Sequence, residues 1–152
     1  EALAQARNSM IAPSRAVRSA GEPYARGMRL PSRPAEILLI HHPGCSKCRK
    51  TLELLRERGL AFEERRYLED PLSVRELSEL ERRLGLPLAA FVRRDEPAWS
   101  EAFSEGEPGA DELRAGVAAH PALLQRPILV RGTRAVVARP PERALELLDP
   151  AR

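Results

Sequence analysis

Cys45 and Cys48 are the only cysteines of this chain, and they are spaced as C-x-x-C within His41-His42-Pro43-Gly44-Cys45-Ser46-Lys47-Cys48-Arg49. That spacing suits dithiol redox chemistry, attack by a single activated thiolate, or part of a metal site. The flanking residues indicate where the pair sits. Ile37-Leu38-Leu39-Ile40 reads as a buried strand over about residues 36–41, and residues 46–58 read as an amphipathic helix closed by Gly59. Cys45 then stands where a strand ends and a helix begins. Unpaired N–H groups and the positive end of the helix dipole favour an anion there. Lys47 and Arg49 add positive charge. Such positions pull a cysteine well below its free pKa of ~8.5, and the thiolate is the nucleophile.

Three other readings fit these residue types. His41, His42, Cys45 and Cys48 supply four zinc ligands by count. Adjacent residues in a strand point to opposite faces, however, so both histidines can hardly turn toward Cys45. No metal is expected. A pair of inert core cysteines is another reading, and the flanking charges weigh against it. A phosphatase loop needs its arginine further along than Arg49. The underlying physics still favours an oxyanion, such as phosphate or arsenate, at the helix N-terminus, with Arg49 as one contact. Arg93, Arg126 and Arg139 are further anion-binding candidates, each with an ordinary surface charge as the alternative. Arg126 precedes the apolar run Pro127-Ile128-Leu129-Val130, and Arg139 ends a second run, Ala135–Ala138, after the turn Arg131-Gly132-Thr133-Arg134. In a hairpin both can lie at one end of the sheet, near Cys45. Guanidinium groups are always charged and bind oxyanions in bidentate fashion.

The elements that must position these residues follow from pattern. The 152 residues fit one domain with a real core. A short polar strand is expected near 61–67, broken by Glu69-Asp70-Pro71. Ser73 with Glu76 forms a capping-box pattern, opening a helix that stops at Gly85. Another helix spans about Asp111–Ala119, and a last one about Pro141–Leu148. The order is β-α-β, a helical stretch over about 73–124, then β-β-α. With C-x-x-C at the first strand–helix junction, this predicts an α/β, thioredoxin-like fold with a helical insertion, spanning residues 36–149.

Charge and composition narrow the partners. The net charge is +3, but residues 1–35 hold six arginines against Glu1 and Glu22, leaving about −1 for the remainder. A nucleic-acid footprint on the folded part is therefore unsupported. No apolar run approaches the ~20 residues of a membrane span. Two cysteines this close make no disulfide framework and fit a reducing compartment, so a cytoplasmic location is expected. Residues 1–35 read as a disordered extension upstream of, or including, a start at Met28. Their Arg-rich composition also resembles an organelle presequence.

An ordered set of motifs resembles the glutaredoxin-dependent arsenate reductases and their Spx-type relatives. It comprises Ile40-His41-His42-Pro43-Gly44-Cys45 with Arg49 and Thr51-Leu52, then Tyr67-Leu68-Glu69-Asp70-Pro71-Leu72-Ser73. Phe91-Val92-Arg93-Arg94-Asp95-Glu96-Pro97, His120-Pro121, Gln125-Arg126-Pro127-Ile128-Leu129-Val130 and Arg139-Pro140 complete it. The resemblance implies that Cys45 attacks the arsenic of arsenate and that Arg93, Arg126 and Arg139 bind the oxyanion. It implies that His41 helps keep Cys45 a thiolate and that Pro127 is cis. It implies no tightly bound cofactor, with glutathione and glutaredoxin as reductant. Two departures stand out. Cys48 replaces the usual serine of the reductases, and His42 the usual asparagine. The C-x-x-C is typical of Spx-type regulators, where it is a redox switch contacting RNA polymerase. Three readings follow: an arsenate reductase-like thiol oxidoreductase, a redox-sensing regulator, and a general dithiol reductase of protein disulfides. Cys48 lies one helical turn from Cys45, which suits a resolving thiol that hands electrons on from a thioredoxin-type donor.

Overall fold

Every residue of the central strand is buried, which explains its unbroken apolar run. The structure, a computed structural model, describes residues 28–149. Its elements are β1 (Ile37–His41), α1 (Ser46–Glu57), β2 (Glu63–Arg66), α2 (Val74–Leu84), α3 (Pro97–Ala102), α4 (Ala110–Ala119), β3 (Ile128–Arg131), β4 (Arg134–Val137) and α5 (Leu145–Leu148). Short 3₁₀ turns cover Leu88–Phe91, Pro121–Leu123 and Pro141–Ala144. The sheet order is β2-β1-β3-β4, with β1 parallel to β2 and antiparallel to β3. This is the thioredoxin-like arrangement, with the helical insertion between its halves.

Alternation along the strands divides the core in two. Leu38, Ile40, Ile128 and Val130 pack under the insertion, against Leu77 and Leu80 of α2 and Leu113 and Val117 of α4. Ile37, Leu39, Leu129 and Val136 pack on the opposite face, against Leu55 of α1 and Leu147 and Leu148 of α5. The insertion therefore covers one face of the sheet and α1 with α5 the other.

Three features differ from the sequence reading. The stretch between α2 and α4 holds a 3₁₀ turn and the helix α3, opened by Pro97 at its first turn. The last helix begins as a 3₁₀ turn, its first bond running from the Arg143 N–H to the Pro140 carbonyl (2.9 Å). Residues 28–35, which the sequence placed in the N-terminal extension, pack on the domain. Leu30 is buried, the Arg29 N–H donates to Glu76 (2.6 Å), and Arg83 donates to the Pro31 (2.8 Å) and Gly132 (2.9 Å) carbonyls. The same segment crosses the hairpin turn so closely that a Cβ on Gly132 would lie 3.0 Å from Pro34, and Gly132 also has φ +59°. Residues 1–27 of the expected extension lie outside the described residues.

β2 reads as a polar strand, yet Arg65 is only 4% exposed. Its guanidinium donates to both carboxylate oxygens of Glu76 (2.8 and 2.9 Å) and to the Asp70 (3.0 Å) and Pro71 (2.7 Å) carbonyls. Glu76 also completes the capping box, accepting from the Ser73 N–H (3.0 Å) while its own N–H donates to the Ser73 hydroxyl (3.1 Å). One carboxylate thus ties β2, α2 and the N-terminal segment together. Removing one partner of a buried ion pair strands the other charge. Glu76→Ala is therefore expected to destabilise the domain by ~3–5 kcal/mol in urea unfolding. A loss under ~1 kcal/mol, typical of a surface change, would contradict this role.

Candidate active site

Strand register assembles the site. Ile128 pairs with Val137, and one step beyond, the Pro127 carbonyl accepts the Ala138 N–H (2.9 Å). A further step sets Arg126 opposite Arg139 at the open end of the hairpin. Ile40 pairs with Ile128, so this end of the hairpin adjoins the C-terminal end of β1. There the chain turns through His42-Pro43-Gly44, with the Cys45 N–H donating to the His42 carbonyl (3.0 Å). Cys45 takes the N-cap position of α1 with extended backbone, φ −95° and ψ 128°. The Arg126–Pro127 bond is cis, as the resemblance implies, and Arg139–Pro140 is cis too.

The guanidiniums of Arg126 and Arg139 both favour the charged form of the Cys45 sulfur. Burial is the largest influence on this thiol and disfavours the charged form. The Cys48 N–H, the Cys48 thiol, Arg126 and Arg139 together outweigh it and hold Cys45 at about 6. Cys48 lies 3.4 Å from Cys45 and is fully buried. Burial is again the largest influence, and with the adjacent Cys45 it pushes Cys48 up to about 12, against the His42 N–H that donates to its sulfur (3.5 Å). At neutral pH the two cysteines therefore hold one proton between them, on Cys48. The pair combines a partly exposed thiol of lowered pKa with a shielded thiol in reach of it.

Residues 40–147 match the ArsC family. The chain belongs to the ArsC family. It is 39% identical over 109 residues to an arsenate reductase of Neisseria meningitidis, covering 70% of this chain and 93% of that one. It is 35% identical over 114 residues to an arsenate reductase of Haemophilus influenzae, covering 74% and 98%. Among solved structures, an arsenate reductase from Vibrio cholerae superposes with a TM-score of 0.70 at 38% identity, covering 76% of this chain and 99% of that one.

The other expected residues of this ArsC-family site take distinct places. Arg93 engages Glu96 through its guanidinium and the Leu123 carbonyl through its N–H (2.7 Å), and its charge reaches Tyr67. Arg49 is exposed and donates to the Pro43 carbonyl (3.2 Å), bracing the loop that leads to Cys45. His41 is buried at the end of β1, its Nε2 3.0 Å from Glu64 of β2, and its Nδ1 has no hydrogen-bond partner among the described residues. Glu64 is held below the usual carboxylate range chiefly by that hydrogen bond. The His42 ring lies over Gly44, where an added Cβ would come within 2.9 Å of Nε2. No group of three or more His, Cys, Asp or Glu side chains among the described residues is disposed to hold a metal ion.

Tyr67 is the site residue whose role the sequence did not reveal. It is fully buried, accepts a hydrogen bond from Arg126 Nη1 (3.2 Å) and donates to the Leu124 carbonyl (3.2 Å). Burial is the main reason its phenol stays protonated and able to donate. Arg139 Nη1 donates to the Arg126 carbonyl (2.9 Å). Arg126 is thus held half-buried by the Tyr67 hydroxyl, whereas Arg139 stays exposed at the mouth of the site and is tethered through that one carbonyl. The available signal was generic: a buried tyrosine hydroxyl requires a partner.

Alkylation by iodoacetamide reads the thiolate directly. Cys45 labelling is expected to rise with pH to a midpoint near about 6 and then level off, with Cys48 far slower. Faster labelling of Cys48, or a Cys45 midpoint near the free value of ~8.5, would contradict the assignment.

Proposed function

We propose that this protein reduces arsenate to arsenite through a Cys45–arsenic adduct that Cys48 resolves. The observation that carries this reading is a Cys45 thiol with Cys48 3.4 Å away, at the strand end where Arg126 and Arg139 meet and lower its pKa. The curated relatives named above are arsenate reductases. The redox-regulator reading has no comparable support.

In this scheme Arg126 and Arg139 orient the oxyanion, with Arg93 and Arg49 at the rim. The Cys45 thiolate attacks arsenic, and one arsenate oxygen leaves as water after protonation. Cys48 then attacks the Cys45 sulfur. The S–As bond breaks with its electron pair going to arsenic, which falls from As(V) to As(III), and arsenite departs. The timing follows from charge. While Cys45 is a thiolate it opposes ionisation of Cys48; once it is bonded to arsenic that opposition is gone, and Arg126 and the His42 N–H remain to favour the Cys48 thiolate. His41, paired with Glu64, fixes the strand end from which the nucleophile loop departs.

An intramolecular thiol has an effective concentration on the order of 10⁵ M when well aligned, far above that of free glutathione. The product is then a Cys45–Cys48 disulfide. A thioredoxin-type dithiol donor fits it better than glutathione with glutaredoxin, with no tightly bound cofactor and in a reducing cytoplasm.

Arsenite formation with each reducing system tests the scheme. Cys45→Ser is expected to abolish turnover, and Cys48→Ser to shift dependence from thioredoxin to glutathione. Losing a charged donor costs ~1.5–3 kcal/mol, so Arg126→Ala or Arg139→Ala is expected to weaken arsenate use about tenfold or more. A wild-type Cys45–glutathione adduct with Cys48 free, seen by mass spectrometry, would remove Cys48 from the mechanism. Disulfide reductase activity on protein substrates without arsenite formation would favour the general dithiol reductase.

A further inference from the structure

The reduced site carries its own anion. Among the described residues no carboxylate pairs with Arg126 or Arg139; their anionic partner is the Cys45 sulfur. Arg126 is otherwise held by the neutral Tyr67 hydroxyl, and Arg139 by a backbone carbonyl. Disulfide formation takes two electrons from the pair and releases the single Cys48 proton: Cys45–S⁻ plus Cys48–SH gives the disulfide, one H⁺ and two electrons. In the scheme above the electrons go to arsenic; a disulfide oxidant accepts them equally well. The site then loses its one negative charge and keeps both guanidiniums, still aimed at the same point.

We infer that the oxidised protein is a receptor for tetrahedral oxyanions, phosphate as well as arsenate, whereas the reduced protein holds them weakly. A dianion entering the reduced site meets a thiolate charge that the two arginines already offset. Entering the oxidised site, it finds two guanidinium forks without an anion. The same logic applies during turnover: substrate is held loosely until attack on arsenic consumes the thiolate charge, and firmly afterwards, which favours the later state over the ground state. Linkage makes the effect reciprocal. If oxidation tightens phosphate binding, bound phosphate favours the disulfide by the same factor and slows its reduction by a dithiol donor.

The redox half of this inference rests on the disulfide proposed above; the charge half does not. Calorimetric titration with inorganic phosphate separates them. Three proteins are compared: reduced wild type, wild type oxidised with diamide and verified by mass spectrometry, and Cys45→Ser. Oxidised wild type and Cys45→Ser are both expected to bind phosphate about tenfold or more tighter than reduced wild type, since each has lost one charged hydrogen-bonding partner. Arg126→Gln in the oxidised protein is expected to remove the gain. Equal affinity of reduced wild type and Cys45→Ser would overturn the inference. Failure of the disulfide to form would overturn the redox half and the resolving role of Cys48 together, while Cys45→Ser still decides the charge argument. In a dithiol-exchange assay, phosphate is expected to lower the rate of disulfide reduction; no effect of phosphate on that rate, with a proven difference in affinity, would overturn the reciprocal half.

Discussion

The contact between the Cys45 thiolate and the guanidiniums of Arg126 and Arg139 is the interaction on which the rest of this site depends. It is made by residues 81 and 94 positions downstream of the cysteine, so no local signal can create it. Register creates it. The antiparallel pairings of β1 with β3 and β3 with β4 bring both arginines to the sheet edge where β1 ends. A slip of one residue in either pairing would turn the side chains to the other face. The two buried cores lock that register from both sides of the sheet. The apolar core therefore does chemical work as well as structural work.

The two cysteines show how one helical turn separates two kinds of thiol. Cys45, at the N-cap, is partly open and surrounded by donors; Cys48, inside the first turn, is fully buried. Identical side chains thus sit on opposite sides of the ordinary thiol range, one at about 6 and the other at about 12. Each shift supports the other, because the proton that Cys48 keeps is the one it offers to the Cys45 thiolate. In the proposed scheme such a pair reacts in order, the second thiol staying inactive until the first has reacted.

Much of this was legible in sequence where the cause is local. The strand–helix junction at Cys45, the capping box of Ser73 with Glu76 and the hairpin turn at Gly132 are written in neighbouring residues, and each appears in the structure. Placing Arg126 and Arg139 together needed only the hairpin. What sequence hid was long-range. Arg65 looks like a solvent-facing charge in a polar strand until Glu76 arrives from α2. Tyr67 looks like a core aromatic until Arg126 arrives from the hairpin. His41 ends β1 just before the loop to Cys45, and its ring engages Glu64 on the neighbouring strand, a pairing no local pattern announces. Helix α3 was missed because six residues are too few to display a period.

Titration of the thiolate by its ultraviolet absorbance, in wild type and in Arg126→Gln, Arg139→Gln and the double variant, tests the central interaction most directly. A wild-type midpoint near about 6 is expected, moving upward in each single variant and further in the double one. A midpoint that stays in place when both guanidiniums are removed would show that the helix terminus alone makes the nucleophile, and would contradict the arginine-held thiolate.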